Sequence, residues 1–131
     1  MENEKWKLDV FLLDGYTYRA NVKSIPIVVR LSSTDKIEIA DKIDLREILL
    51  IQDGKDVFGG YIRSRLGMEK DTITISSEKP HHMLYDICNY EDSELNPGEY
   101  GVSVKLQAYR YENGERKETV NLEGKTKLIM M

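Results

Sequence analysis

Residues 100–122 have the sequence YGVSVKLQAYRYENGERKETVNL, and this stretch predicts a β-hairpin. Its first half alternates apolar and polar residues, which would place one set of side chains on a single face of a strand, namely Tyr100, Val102, Val104, Leu106 and Ala108. Asn113-Gly114 follows, a pair that readily adopts the positive φ angles of a tight type I′ turn. Val120 and Leu122 resume the alternation, so the chain is expected to return along the first strand.

The same two-residue period predicts further strands outside the hairpin, at 6–12, 16–22, 25–31, 37–39, 61–66, 72–76 and 126–130. Asp14-Gly15 is a turn signal that could join the first two as a hairpin. Residues 43–58 allow two interpretations. Asp44 to Glu47 has the spacing of a capping box that would open a short helix. The apolar runs on both sides of Asp53-Gly54 favour a hairpin instead.

Residues 80–90 break the two-residue period and predict one short helix. Pro80 would occupy its first position, and an apolar stripe with three-four spacing would follow, formed by Met83, Leu84, Ile87 and Cys88. Residues 92–98 are expected to form a loop. Strands at intervals of roughly 8 to 12 residues are typical of a sandwich or barrel. The sequence therefore predicts a single, mainly antiparallel β-sandwich domain over residues 1–131.

Composition excludes several classes of function. The 19 basic and 23 acidic residues give a formal net charge of −4, whereas nucleic-acid binders usually carry a basic excess, so no nucleic-acid partner is expected. The single cysteine, Cys88, excludes an intrachain disulfide and fits a reducing compartment. The longest apolar cluster, 48–51, is too short for a membrane span, and no signal-peptide pattern is present. We expect a cytoplasmic protein, or a virion-associated one if it belongs to a phage structure.

The segment from Leu95 to Val104, LNPGEYGVSV, resembles the corner before the sixth strand of immunoglobulin-like and fibronectin type III domains. The resemblance implies an immunoglobulin-like sandwich in which Tyr100 is the corner tyrosine, Pro97 and Gly98 form the turn before it, and Trp6 or a mid-chain aromatic residue fills the core. Residues 48–58 are similar to a hairpin of small bacterial immunoglobulin-like proteins such as intracellular proteinase inhibitors. The Cys–Trp–Cys spacing of true immunoglobulin domains is absent, and the predicted helix departs from the seven-strand pattern.

Chemically active side chains form no recognisable catalytic or metal-binding pattern. His81, His82 and Cys88 are a metal-capable group, but adjacent histidines point in different directions and no second ligand pair lies at zinc spacing. No Gly-x-Ser-x-Gly elbow, calcium loop or phosphate loop is present, and Gly59-Gly60 is typical of a β-bulge. We therefore predict no catalytic residue, no metal site and no cofactor.

Tyrosine offers the best candidate for a binding surface. Tyr109 and Tyr111 flank Arg110 near the Asn113-Gly114 turn, and tyrosine and arginine are enriched at protein interfaces. These three residues could contact a partner by packing or by strand addition. The predicted function is a non-catalytic protein-interaction module, either an inhibitor or immunity-type protein or a piece of a larger assembly such as a phage tail, with homo-oligomerisation possible. The alternative is a carbohydrate-binding sandwich, and the third is a small enzyme or metal-binding protein in which His81, His82 and Cys88 converge.

Overall fold

The computed structural model describes residues 5–13, 15–19, 22–40, 43–58, 60–64, 72–89 and 96–131, in which eleven β-strands and no helix occur. The first sheet contains, in spatial order, β1 (Trp6–Leu12), β3 (Ser24–Ser33), β9 (His81–Asn89) and β7 (Gly60–Ser64). The second sheet contains β2 (Thr17–Tyr18), β11 (Glu115–Met130), β10 (Gly98–Glu112), β4 (Ile37–Ala40), β8 (Thr72–Ile75), β5 (Asp44–Gln52) and β6 (Lys55–Asp56). The prediction of a mainly β, largely antiparallel fold is confirmed.

The hairpin that the sequence indicated most clearly is the centre of the second sheet. β10 and β11 pair antiparallel from Gly98 opposite Met130 to Glu112 opposite Glu115. Asn113 and Gly114 both have positive φ angles, 52° and 79°, as the predicted turn requires. The separate last strand predicted at 126–130 is wrong, because β11 continues through Gly124 without a break.

A second predicted hairpin, at residues 43–58, is also confirmed. Asp53 and Gly54 adopt φ angles of 54° and 77° between β5 and β6. β5 then lies along β10 from Ile51 opposite Gly101 to Asp44 opposite Gln107, so it extends the sheet away from β11. The helical interpretation of this segment does not hold.

The predicted hairpin across Asp14-Gly15 is wrong. β1 pairs antiparallel with β3 in the first sheet. The strand expected at 16–22 is reduced, within the described residues, to the two residues of β2, which pair in parallel with Ile129 and Met130 of the second sheet. The chain therefore passes from one sheet to the other at this point instead of turning back on itself.

The helix predicted for residues 80–90 is wrong, because His81–Asn89 is the strand β9 between β3 and β7. Met83, Tyr85 and Ile87 face the core, with at most 3% of each residue exposed. The opposite face of β9 is also largely buried at Asp86 and Cys88. A strand buried on both faces loses its alternation of apolar and polar residues, and the remaining apolar positions can match a helical stripe.

Asp86 forms a buried ion pair on the outward side of β9. Its carboxylate is completely buried and accepts hydrogen bonds from Nε and Nη2 of Arg63 on β7, at 3.2 and 3.0 Å. Arg63 remains 57% exposed, so the pair lies at the boundary between protein and solvent. The strand register places the two residues directly opposite each other.

Both sheets contribute to one core. The first sheet contributes side chains such as Ile25, Ile27 and Ile87, and the second contributes Leu50, Leu106 and Leu128, all essentially inaccessible to solvent. At one side of this core β1 crosses β11 at close range, beside Gly124. A Cβ at this glycine would lie 2.8 Å from Cγ2 of Val10 and 3.1 Å from the carbonyl oxygen of Leu8.

Candidate functional site

A groove of about 830 Å³ runs over the outer face of the second sheet, where β5, β10 and β11 lie side by side. We define this outer groove by Tyr16, Leu49, Ile51, Gly101, Val102, Ser103, Lys105, Glu123, Lys125, Thr126 and Lys127. Its lining is mainly apolar. Concave apolar surface is the usual character of a binding site, whereas the solvent face of an antiparallel sheet is normally polar.

Small residues on β10 form the floor of the outer groove. Gly101 has no side chain, and a Cβ there would meet only Ile51, at 3.9 Å. Ser103, the next residue on the same face, is short and 7% exposed. The register places Leu49 and Ile51 beside these two residues on one side, and Lys125 and Lys127 beside them on the other side. The floor is therefore low because two adjacent outward positions carry almost no side chain.

The two walls differ in chemistry. The β5 wall is apolar, since Leu49 and Ile51 point outward and are half-buried. The β11 wall is cationic, with the side chains of Lys125 and Lys127 73% and 80% exposed. Lys105 adds a third ammonium group to the lining, and Glu123 is the acidic side chain among the lining residues.

The Glu123 side chain lies between Ser103 on the floor of the groove and Lys125 on the β11 wall. Its Oε1 accepts a hydrogen bond from the Ser103 hydroxyl at 3.2 Å and lies 3.3 Å from Nζ of Lys125. The hydrogen bond from Lys125, followed by that from Ser103, lowers the pKa of the Glu123 carboxyl below its usual value. The Glu123 carboxyl is therefore ionised at neutral pH, and Ser103 and Lys125 are its contacts.

Two of the three predicted partner-binding residues share the face that carries the outer groove. Tyr109 and Tyr111 follow the alternation of β10 and face outward, both half-buried. The guanidinium of Arg116 stacks over the Tyr109 ring at 4.1 Å, and the Tyr109 hydroxyl donates to Gln107 at 3.1 Å.

Arg110 lies on the other side of the sheet, in register with the buried Ile39. Its Nε is 3.3 Å from Glu118 and its Nη1 is 3.5 Å from Glu112. The structure therefore brings Tyr109 and Tyr111 together and separates them from Arg110.

The segment before β10 has the geometry of a tyrosine corner. The buried Tyr100 donates its hydroxyl proton to the carbonyl oxygen of Asn96 at 2.5 Å. Burial raises the pKa of Tyr100, and a hydrogen bond with the Gln52 side chain opposes the shift. Gly98 has a φ of 134°, and Gln52 also donates to the carbonyl of Pro97 at 3.4 Å. The predicted structural residues Tyr100, Pro97 and Gly98 thus lie next to the outer groove, where β5 meets β10.

The candidate metal or catalytic residues do not converge. His81 and His82 are neighbours on β9 and therefore point to opposite faces of the sheet. Cys88 shares the face of His82 but lies six residues further along the strand, roughly 20 Å away at about 3.3 Å per residue. Within the described ranges, no three His, Cys, Asp or Glu side chains form a cluster that could hold a metal ion. The described part of the chain also contains no helix long and apolar enough to cross a membrane.

Sequence reasoning missed the outer groove, although one signal for it was present. Ile48 to Ile51 are four consecutive apolar residues, and in a strand two of them must face away from the core. The structure places Ile48 and Leu50 in the core and leaves Leu49 and Ile51 on the outer face. The unbroken run therefore indicated a strand with an apolar outer side.

Comparisons with known proteins identify no family. No family model matches the sequence, and no curated protein matches it. Among solved structures, the sporulation control protein Spo0M from Bacillus subtilis has a TM-score of 0.49 at 13% identity, with 96% of this chain and 49% of Spo0M covered. This chain thus spans about half the length of Spo0M.

Two subunits of bacterial assemblies, one of fimbriae and one of a colonization factor, are similar at the same level. MyfA, the major subunit of Myf fimbriae from Yersinia enterocolitica, has a TM-score of 0.48 at 8% identity, with 94% of this chain and 98% of MyfA covered. The CssB subunit of colonization factor CS6 from enterotoxigenic Escherichia coli has a TM-score of 0.48 at 12% identity, with 98% and 99% covered. Likenesses of this size carry no argument about function.

Proposed function

We propose that this chain is a non-catalytic protein-interaction module that takes its partner on the outer face of the second sheet. The outer groove is the observation that supports the proposal. It leaves Leu49 and Ile51 partly exposed beside the side-chain-free floor at Gly101, where a solvated sheet would carry polar residues. Contiguous exposed apolar surface on a folded protein usually marks a site of interaction.

The proposed scaffold is an immunoglobulin-like sandwich formed by residues 1–131 as one domain. In immunoglobulin constant-type domains, strands A, B, E and D form one sheet and strands G, F and C form the other. The orders β1-β3-β9-β7 and β11-β10-β5 match this arrangement when the strands are lettered in chain order, with β2, β4, β6 and β8 as additions. Tyr100 then stands at the start of the sixth lettered strand, where the corner tyrosine is expected.

The binding face extends beyond the outer groove along β10. Tyr111 and the Tyr109–Arg116 stack lie on the same face, eight to ten residues from Gly101. At about 3.3 Å per residue, this places them roughly 26–33 Å from Gly101 along the strand. Aromatic and arginine side chains are frequent anchors in protein interfaces. We therefore include Tyr109 and Tyr111 in the proposed surface, and Arg110 only as a support for the strand end through its ion pairs.

The partner in this proposal is another protein, and a second copy of the chain is one form of it. An inhibitor or immunity-type role and a role in a larger assembly both use such a surface. A carbohydrate platform would need neighbouring exposed aromatic rings. The exposed tyrosines Tyr16 and Tyr61 lie on different sheets, since Tyr16 borders the outer groove and Tyr61 is on β7. The protein-binding proposal is therefore the better supported of the two.

Capture of a stoichiometric partner from the native extract tests the proposal. The apolar wall is removed without adding charge in the double variant Leu49→Gln/Ile51→Gln. The matched control is Leu13→Gln/Tyr61→Gln, which changes two side chains that are each 50% exposed but lie away from the outer groove. Burying two apolar side chains contributes a few kcal/mol, so we expect affinity to fall at least about ten-fold in the groove variant.

The control variant is expected to bind within about two-fold of the wild type, as is usual when the altered residues lie outside an interface. If the partner is a second copy of the chain, light scattering after size exclusion detects the homo-oligomer. The groove variant is then expected to be monomeric. Equal capture by both variants, or no stoichiometric partner and a strict monomer, would overturn the proposal.

A further inference from the structure

We infer that Asn113 is a site of spontaneous covalent modification, at which its side-chain amide is lost and the residue becomes aspartate or isoaspartate. The reactants are the Asn113 side chain, the backbone nitrogen of Gly114 and water. The inference requires no partner, so it is independent of the proposed function. It follows from the residue pair, from its exposure and from the short ladder that holds the end of the hairpin.

The reaction begins when the backbone nitrogen of Gly114 attacks Cγ of Asn113. The new N–Cγ bond closes a succinimide ring, the Cγ–Nδ2 bond breaks, and Nδ2 leaves as ammonia with the proton that the Gly114 nitrogen gives up. Water then opens the ring. Breaking the N–Cγ bond gives aspartate, whereas breaking the bond from the nitrogen to the main-chain carbonyl carbon gives isoaspartate. The net change is a gain of water and a loss of ammonia, without oxidation or reduction.

The surroundings of the residue pair permit this attack. A side chain on the residue after asparagine hinders ring closure, and glycine has none. A Cβ at Gly114 would meet no atom within 4 Å beyond its neighbours in the chain. Asn113 is exposed, and both residues lie outside the β10–β11 ladder, which ends at the pair Glu112–Glu115. The attacking nitrogen is therefore unhindered and accessible to water.

The end of the hairpin can open locally to reach the reactive geometry. A β-bulge interrupts the ladder, so the pairs Tyr111–Arg116 and Glu112–Glu115 alone lie between the bulge and the turn. Terminal segments with few buried contacts and exposed backbone hydrogen bonds open at little cost in free energy. Rotation of the turn residues therefore does not require the core to unfold.

The other asparagines in the described part of the chain lack this combination. Asn113 is the one asparagine of the sequence that glycine follows. Asn96 precedes Pro97, whose ring nitrogen has no proton to give up. Asn89 and Asn121 lie within strands, each before a residue with a bulky side chain. Modification is therefore expected at Asn113 first.

The two products have different effects on the hairpin. A two-residue turn determines which residues of β10 and β11 lie opposite each other, and isoaspartate adds an atom to the main chain of that turn. The stack of the Arg116 guanidinium over the Tyr109 ring, at 4.1 Å, crosses the hairpin close to the turn and would report the change. Aspartate fits the turn, because Asp53 has a φ of 54° between β5 and β6 and Asn113 has a φ of 52°.

Timed incubation of the full chain in mildly alkaline buffer tests the inference. Trypsin releases Asn113 and Asn121 in separate peptides, residues 111–116 and 118–125. We expect mass spectrometry to show conversion of Asn113 while Asn121 remains an amide, and electron-transfer fragmentation to identify isoaspartate. A peptide of residues 109–117 with blocked ends, kept in the same buffer, gives the rate of conversion without the fold.

Two variants provide matched comparisons. Asp53→Asn places an Asn-Gly pair in the turn with matching φ angles between β5 and β6, and we expect a second site of conversion there. Asn113→Asp carries the charge of the product without the extra main-chain atom. It should keep the stack between Tyr109 and Arg116 and slow amide exchange at the end of the hairpin, both of which the isoaspartate form is expected to lose.

An intact Asn113 in the folded chain, after the free peptide has been converted, would overturn the inference. Equal conversion of Asn113 and Asn121 would overturn it too, because the selectivity assigned to the turn would be absent. A lack of conversion in Asp53→Asn would remove the exposed Asn-Gly turn as the cause. Amide exchange in the isoaspartate form equal to that of Asn113→Asp would refute the change of register.

Discussion

Replacement of Gly124 by alanine tests how closely β1 crosses β11. The new Cβ would lie 2.8 Å from Cγ2 of Val10 and 3.1 and 3.2 Å from the carbonyl oxygen and Cγ of Leu8. Val10 is stiff about its first torsion and the Leu8 oxygen is backbone, so neither can move away easily. Overpacking of this kind costs about 1–3 kcal/mol, against a gain of about 0.4–1 kcal/mol from the reduced freedom of the unfolded chain.

We therefore expect Gly124→Ala to lower the free energy of unfolding by about 1–2 kcal/mol. For a chain of 131 residues, about 4 °C of Tm corresponds to each kcal/mol. Chemical denaturation and calorimetry should thus agree on a Tm about 4–8 °C below that of the wild type.

Gly101→Ala is the matched control for this substitution. Gly101 also lies in the β10–β11 ladder, but its added Cβ would meet Ile51 at 3.9 Å, an ordinary contact. The free energy of unfolding of Gly101→Ala should equal that of the wild type or exceed it by up to about 1 kcal/mol. If Gly124→Ala were as stable as Gly101→Ala, the close crossing of β1 over β11 would be refuted.

Three further predictions concern buried polar groups. Tyr100→Phe removes the hydrogen bond to the Asn96 carbonyl and should cost about 1 kcal/mol in urea denaturation, whereas Tyr16→Phe, at a tyrosine that is 46% exposed, should change stability by less than about 0.5 kcal/mol. Burial raises the pKa of both Tyr85 and Tyr100, so the folded state holds these protons above pH 10 more strongly than the unfolded state does. The free energy of unfolding should therefore be constant below about pH 10 and fall as the pH rises from there toward the raised pKa values of the two tyrosines. Tyr85→Phe should make this fall less steep. An equally steep fall in that variant would contradict the raised pKa of Tyr85. Arg63→Ala leaves the buried carboxylate of Asp86 without its guanidinium and should cost about 1–3 kcal/mol, less than a fully buried pair because Arg63 is 57% exposed; a loss under about 0.5 kcal/mol would show that the pair contributes little.

Local sequence predicted those parts of the fold in which neighbouring residues determine the structure. Asn113-Gly114 and Asp53-Gly54 both form the turns expected of them, because a turn with two positive φ angles depends on the residues within it. The strand before such a turn and the strand after it then pair with each other. In these cases the turn defines the register, and the alternation defines the buried face.

Pairings between distant segments could not be predicted in this way. Asp14-Gly15 is as good a turn signal as the other two, yet β1 pairs with β3 and β2 pairs with β11. The partner of β2 lies more than a hundred residues away in the chain. The choice between a hairpin and a change of sheet depends on which surfaces are available for burial in the assembled core, and the turn residues do not contain that information.

The error at residues 80–90 and the missed outer groove have a common physical cause. Alternation identifies a strand only when one face is buried and the other is in water. On β9 the outer face is also buried at Asp86 and Cys88, so its apolar residues matched a helical stripe. β5 carries apolar residues on both faces, so its sequence shows no alternation that would separate the outer side from the core side. A groove also requires neighbours from different strands, here Leu49, Gly101 and Lys127, whose proximity is set by the register of β5 and β11 on β10. An unbroken apolar run in a β-rich sequence therefore indicates a strand with apolar residues on both faces, and on β5 the second face borders the outer groove.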